Sequence, residues 1–183
     1  EQYQDPETAL PVPSELRDSI IEQLEKHTEY LPILECAACL GLQFPADVLA
    51  TSLDKERLLL LKQLAEMEQT TNFIYDVREE DDIYSFRSSI MLEVIRERIQ
   101  IMGRGPRSSD VPQIVREYHT RVAEALIERP NVDIFAAAKH YYAAGSSSAA
   151  DGMKYCLQAA QAAVQQPAVN EAREYIKMAR ECA

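Results

Sequence analysis

Apolar residues recur every three or four positions through the first seventy residues, which is the period of amphipathic helices. The pattern predicts four helices there, at about 14–26, 30–40, 46–50 and 53–68. The second is apolar almost all round and stops at a glycine, which is typical of a helix at the centre of a core. Ser52 is expected to cap the fourth.

The period then changes from that of a helix to that of a strand. Residues 72–77 and 83–86 are rich in β-branched and aromatic side chains and flank a charged turn, so we predict a β-hairpin. A further amphipathic helix follows at about 88–102. Three helices followed by a hairpin are the order of a winged-helix domain, and the last three of the four helices above stand in that order before the hairpin. The sequence therefore predicts a winged-helix-like unit at 14–103.

Glycine, proline and serine interrupt the pattern at 104–109, which we interpret as a linker. Asp110 with Gln113 fits a capping box for a helix that begins just after it. Amphipathic patterns predict four helices in this half, at about 112–128, 132–144, 147–165 and 168–182.

The last four helices contain an internal repeat of 34 residues. Four positions recur at that offset: Leu126 with Ala160, Ala138 with Ala172, Tyr142 with Ile176, and Gly145 with Ala179. This period, with small residues where paired helices approach, is that of tetratricopeptide repeats. We therefore predict a mainly α chain, in which a linker at 1–13 and the winged-helix-like unit precede antiparallel tetratricopeptide-like helix pairs at 110–183.

The distribution of charge bears on nucleic-acid binding. The net charge is −11, and residues 1–103 carry −12 whereas residues 104–183 carry +1. The candidate recognition helix holds three cations and four carboxylates, and in the hairpin turn at 76–82 Arg78 stands against five carboxylates. Because phosphate contacts need cations, we expect no binding to nucleic acid. A DNA-binding winged-helix transcriptional regulator is the alternative function.

Several features exclude other classes of site. No apolar run is long enough to span a bilayer and no basic-then-apolar leader is visible, so we expect a soluble, cytoplasmic protein without membrane contact. Cys36 and Cys39 form a Cys-x-x-Cys, but they fall inside an apolar helix without further zinc ligands at suitable spacing. We interpret them as reduced core residues.

The remaining candidate residues point to contacts rather than to chemistry. His119 and His140 fall on neighbouring helices without a third metal ligand, so packing or partner contact is the favoured interpretation. Four tyrosines could line a peptide groove or pack helices together: Tyr118, Tyr141, Tyr142 and Tyr155. There is no Gly-x-x-x-x-Gly-Lys phosphate loop and no nucleophile in a hydrolase context. We therefore predict no catalytic site, metal or cofactor, although a small hydrolase is a third hypothesis.

Five segments along the chain match a known pattern in order and spacing. They are 10–17, 34–41 with Phe44, 84–86, an Arg-x-x-His-x-x-x-Ala helix (Arg116, His119, Ala123, then Leu126), and an Ala-x-His-Tyr helix (Ala138, His140, Tyr141, then Gly145). Together they resemble the region that follows the nucleotide-binding core of bacterial signal-transduction ATPases with numerous domains. The resemblance covers about residues 10–183. Two positions depart from the family pattern, because Ser88 and Arg96 stand where the family has His and Tyr.

The resemblance implies a non-catalytic regulatory and protein-interaction module of a larger ATPase. The winged-helix-like unit would pack on the nucleotide-binding core of the parent chain, and the linker would be a hinge. The helix pairs would offer a concave surface to a protein partner, an effector or another protomer. The residues expected near that surface or near the domain junction are Arg116, His119, His140 and Tyr141.

Overall fold

The computed structural model describes residues 14–77, 82–102, 111–166 and 168–183. The chain is mainly α with a small antiparallel sheet, as the sequence predicts. None of the helices in these ranges is both long and apolar enough to cross a membrane. The helices are α1 (Ser14–Lys26), α2 (Leu31–Leu40), α3 (Ala46–Ser52), α4 (Arg57–Thr70), α5 (Ser89–Met102), α6 (Gln113–Glu128), α7 (Ile134–Ala144), α8 (Ala149–Gln165) and α9 (Val169–Glu181).

The sheet has three strands, β1 (Gln43–Pro45), β2 (Ile74–Asp76) and β3 (Ile83–Phe86), in the order β1-β3-β2. Strands β2 and β3 pair antiparallel, which confirms the predicted hairpin. Residues 78–81 of its turn lie outside the described residues. Strand β1 also pairs antiparallel with β3. The sequence analysis missed β1 because three residues are too few to show a period of two.

The predicted start of α4 was wrong. Ser52 ends α3 instead of capping α4, and its buried hydroxyl donates to the Val48 carbonyl oxygen at 2.7 Å. Asp54 then adopts a left-handed conformation with φ of 51°, so the chain turns and α4 begins at Arg57. A serine hydroxyl can bond either to a following helix or to the preceding turn, and burial favours the second here. The capping box predicted at Asp110 lies outside the described residues.

The larger hydrophobic core joins the sheet and the helices around it to α6, the first of the predicted repeat helices. Its largest fully buried side chains, such as Phe44, Phe86 and Leu64, come from the sheet and the helices around it. The same core includes Val122 and Leu126 of α6. Helix α6 therefore packs on the unit that precedes it as well as on α7.

A second, smaller core lies among α7, α8 and α9. Tyr175 is its only large member among the buried residues described, and the others are small: Ala138, Cys156, Ala159, Ala160 and Ala179. Two of the predicted repeat pairs have matching exposure, since Ala138 and Ala172 are 0% and 3% exposed while Tyr142 and Ile176 are 36% and 39% exposed. Gly145 and Ala179 differ, because Gly145 is half-buried and Ala179 is buried. Matching exposure at the first two pairs supports the prediction of repeated helix pairs.

Candidate functional site

Glu35 joins three helices where α2 and α5 meet α6, a region that we call the junction. Its Oε1 accepts a hydrogen bond from Arg98 Nη1 of α5 at 2.8 Å. Its Oε2 accepts from the Tyr118 hydroxyl of α6 at 3.2 Å. The Glu35 and Arg98 side chains are only 15% and 22% exposed, so each needs the other to offset lost hydration. Burial and the nearby Glu35 raise the pKa of Tyr118, which stays a donor.

Arg96 and Ser88, the two residues that differ from the family pattern, each form a hydrogen bond with the backbone at a helix end. Arg96 Nε donates to the Ala38 carbonyl oxygen at 2.9 Å. That carbonyl lies in the last turn of α2, where carbonyls lack helical partners. Ser88 Oγ accepts from the Met91 amide at 3.1 Å and so caps the start of α5. Each residue therefore has a local structural role in this chain.

His119 of α6 and His140 of α7 form a close pair. Their Nδ1 atoms are 2.8 Å apart, so one ring donates while the other accepts, and the two rings hold opposite tautomers. Burial lowers the pKa of each to about 4, and for His119 this value includes a smaller contribution from the Arg96 charge. Both rings are consequently neutral near pH 7. Two neutral rings can share this bond, whereas two protonated rings would present only donors to each other.

We expect acidification from about pH 6.5 to about pH 4 to destabilise the protein through this pair. The folded rings have a pKa below the usual 6.5, so the unfolded state binds protons that the folded state does not. The stability present at neutral pH is then lost as the pH falls, by roughly 3 kcal/mol for the coupled pair. Urea unfolding across this pH range measures the effect.

The control for acidification is the double variant His119→Gln, His140→Gln. Its amides can share a hydrogen bond but do not titrate, whereas every other side chain is the same in both proteins. As the pH falls, the free energy of unfolding of the wild type should decrease more than that of this variant. Parallel pH profiles for the two proteins would contradict the role given to the pair.

An open cavity of about 170 Å³ lies beside these residues in the junction. Three helices contribute its walls: Ala38 and Cys39 from α2, Arg96, Ile99 and Gln100 from α5, and Val115 and His119 from α6. The walls are therefore largely apolar, with one cation and two neutral polar groups.

The structure brings together two of the four residues predicted near the junction or a partner surface. His119 and His140 are paired, and His119 faces the junction cavity. Arg116 donates from Nε to the Val111 carbonyl oxygen at 2.9 Å, at the start of α6. Tyr141 is 3% exposed and stacks on Tyr155 of α8 with ring centroids 5.0 Å apart. Arg116 and Tyr141 thus make separate contacts within the helix pairs.

The sequence analysis missed Glu35 and Arg98. The signal was a single carboxylate in the otherwise apolar helix α2, because a carboxylate in such a position needs a buried partner. Nothing in the spacing identified which of several arginines that partner would be.

The cysteines and acidic groups provide little chemistry. All four thiols are free, and Cys36 is completely buried. Burial raises the pKa of Cys36 and raises that of Cys39 to about 12. In the ranges that the structure describes, no group of three or more His, Cys, Asp or Glu residues is placed to hold a metal ion.

A second concave surface lies between α7 and α9. This groove has a volume of about 600 Å³ and carries both apolar and charged side chains. Its principal lining residues are Phe135, Lys139, Glu171, Glu174, Tyr175 and Met178. The mixture of aromatic, acidic and basic groups is suited to a peptide or to a helix of another protein.

No protein-family model matches the chain, and neither a curated protein nor a solved structure matches it. The family resemblance noted from the sequence therefore stays a prediction. The function has to be inferred from the junction and from the exposed surfaces of the helices.

Proposed function

We propose that this chain is a non-catalytic regulatory and protein-interaction module of a larger signal-transduction ATPase, and that it couples nucleotide state to partner or effector binding. The observation that supports this proposal is the junction. Glu35 ties α2, α5 and α6 together, and the core beneath it runs from the sheet into α6. Packed cores transmit displacement because they resist compression. Movement of the winged-helix-like unit is thereby passed to the helix pairs.

The first turn of α4 supports a protein contact rather than a DNA contact. Leu58 and Leu59 are 57% and 51% exposed there, on the helix that would read DNA in a winged-helix domain. Arg57, the cation next to them, is paired with Asp82 at 3.0 Å. Adjacent exposed leucines suit an apolar protein surface, such as a nucleotide-binding core in the parent chain.

The partner or effector would bind to the helix pairs, and the groove between α7 and α9 is the surface that we assign to it. Helix α7 contributes Phe135 and Lys139 to the lining of this groove, and α9 contributes Glu171, Glu174 and Tyr175. Aromatic side chains together with charges of both signs are common at sites of protein recognition.

The experiment that tests the proposal uses the full gene product. A phosphate-loop domain should precede residue 1, and hydrogen exchange in α7–α9 should differ between the ATP-bound and ADP-bound states. The Glu35→Gln variant should lose most of that difference, because the amide cannot hold the Arg98 guanidinium as a carboxylate does. Glu22→Gln is the control, since Glu22 pairs only with exposed Lys26. Identical exchange in both nucleotide states would refute the coupling.

We expect the chain not to bind duplex DNA. The candidate recognition helix carries no net excess of cations, and Arg57 is already paired. A gel shift with random duplex at low salt, where electrostatic binding is strongest, measures this directly. A clear shift that disappears at higher salt would favour the alternative function, a DNA-binding transcriptional regulator.

A further inference from the structure

Arg96 presents a partly unused guanidinium to the junction cavity. Its Nε bonds to the Ala38 carbonyl oxygen, which leaves the two Nη groups. Among the residues that the structure describes, no carboxylate forms an ion pair with Arg96. Glu35, the carboxylate of the junction, is engaged by Arg98 and Tyr118 instead. The cavity therefore has a positive charge on one wall that forms no ion pair with the described residues of these helices.

The other residues that line the cavity determine which kind of anion would fit there. Ala38, Ile99 and Val115 are apolar, and Gln100 contributes an amide. The volume of about 170 Å³ is that occupied by about six molecules of liquid water. A ligand that fits would have five or six non-hydrogen atoms, an apolar body and one anionic end.

We propose that the junction cavity binds a short-chain aliphatic carboxylate, with its carboxylate on the Nη groups of Arg96 and its hydrocarbon chain against Ala38, Ile99 and Val115. The planar fork of a guanidinium matches the two oxygens of a carboxylate. Inorganic phosphate is a poorer fit, because it has no apolar part and needs donors on several sides. A neutral amide of the same shape lacks the charge that Arg96 would compensate.

Binding would also fix the tautomers of the histidine pair. His119 Nδ1 is occupied by His140, so Nε2 is the ring nitrogen that His119 has left for the cavity. A carboxylate accepts but does not donate, so it favours the form in which His119 carries the proton on Nε2. His140 must then donate from its own Nδ1. In this scheme His140 is a positioning residue, and long-range proton–nitrogen spectra of the imidazoles report the tautomers.

Protection of the Cys39 thiol from chemical labelling tests the site, because Cys39 lines the cavity. Cys182 is half-buried on another part of the chain and is the control within the same sample. Butyrate at ten times its dissociation constant should slow methanethiosulfonate labelling of Cys39 about tenfold and leave Cys182 unchanged. Butyramide and inorganic phosphate should have no effect. Equal protection by butyramide, protection by phosphate alone, or no protection by butyrate would overturn the proposal.

Variants distinguish binding of butyrate in the junction cavity from a nonspecific effect of butyrate on labelling. Arg96→Gln should weaken butyrate protection at least about tenfold, as loss of a charged hydrogen bond does. Arg96→Lys should restore part of it. Arg87→Gln, which alters a cation that lies over Tyr75 on the sheet, should behave as wild type. Unchanged protection in Arg96→Gln would overturn the assignment.

A further variant leaves Arg96 in place in case Arg96→Gln does not fold. Val115→Phe fills the cavity and should abolish protection, and persistent protection there would overturn the proposal as well. Binding does not depend on the proposed function, whereas an effect of butyrate on the nucleotide response of the parent protein does. Protection of Cys39 without an effect on the nucleotide response would support binding in the cavity and contradict its link to the proposed function.

Discussion

Replacing Glu35 by alanine is expected to lower the free energy of unfolding by roughly 3 kcal/mol. The change leaves the Arg98 guanidinium and the Tyr118 hydroxyl without the acceptor that both use, in a site where the side chains of Glu35 and Arg98 are 15% and 22% exposed. A partly buried cation without a partner costs more than the ion pair itself contributes. Urea unfolding followed by circular dichroism measures the loss.

The control for this prediction is Glu22→Ala, in which a glutamate on the surface of α1 is lost. Glu22 bonds to Lys26 at 2.8 Å, but its side chain is 69% exposed, and exposed pairs contribute little. A double variant, Glu35→Leu with Arg98→Met, should recover much of the stability because both charges are removed together. If Glu35→Ala and Glu22→Ala lost similar amounts, Glu35 would not be the centre of the junction.

Tyr175→Ala is expected to release α9 from the helix pairs while the rest of the chain stays folded. Tyr175 is 5% exposed and is the one large side chain in the smaller core among the described residues. It also contacts Phe135 of α7, with ring centroids 5.6 Å apart. Its removal should cost about 3 kcal/mol locally. Amide exchange in Val169–Glu181 should then be about a hundredfold faster.

Ile176→Ala is the matched control for this second variant. Ile176 lies next to Tyr175 on the same helix but is 39% exposed, so its truncation removes little buried surface. Exchange in α9 should change by less than about threefold. If Tyr175→Ala unfolded the whole chain in one transition, the smaller core would not be a separate cooperative unit.

The sequence predicted the elements whose apolar period extends over several turns. Helices α1, α2 and α5–α9 lie close to their predicted places, and the hairpin of β2 and β3 pairs as expected. The start of α4 was misplaced because the Ser52 hydroxyl donates to the Val48 carbonyl oxygen within α3 instead of accepting from an amide of α4. The local sequence is compatible with either bond, and burial of Ser52 favours the first.

The candidate site was only partly predictable for a different reason. His119 and His140 could be placed on neighbouring helices from periodicity, but the contact between their Nδ1 atoms depends on how α6 and α7 rotate against each other. Arg96 and Glu35 lie 61 positions apart in numbering and meet different partners in the junction. Pairings across that separation follow from tertiary packing, which single-sequence patterns do not contain.

Neighbouring residues of α7 belong to different cores. Ala137 packs in the larger core and Ala138 in the smaller one, and about 100° separates them around the helix axis. A rotation of α7 about its axis moves both methyl groups at once. The two cores therefore share the orientation of a single helix, and repacking around one methyl group disturbs the packing around the other.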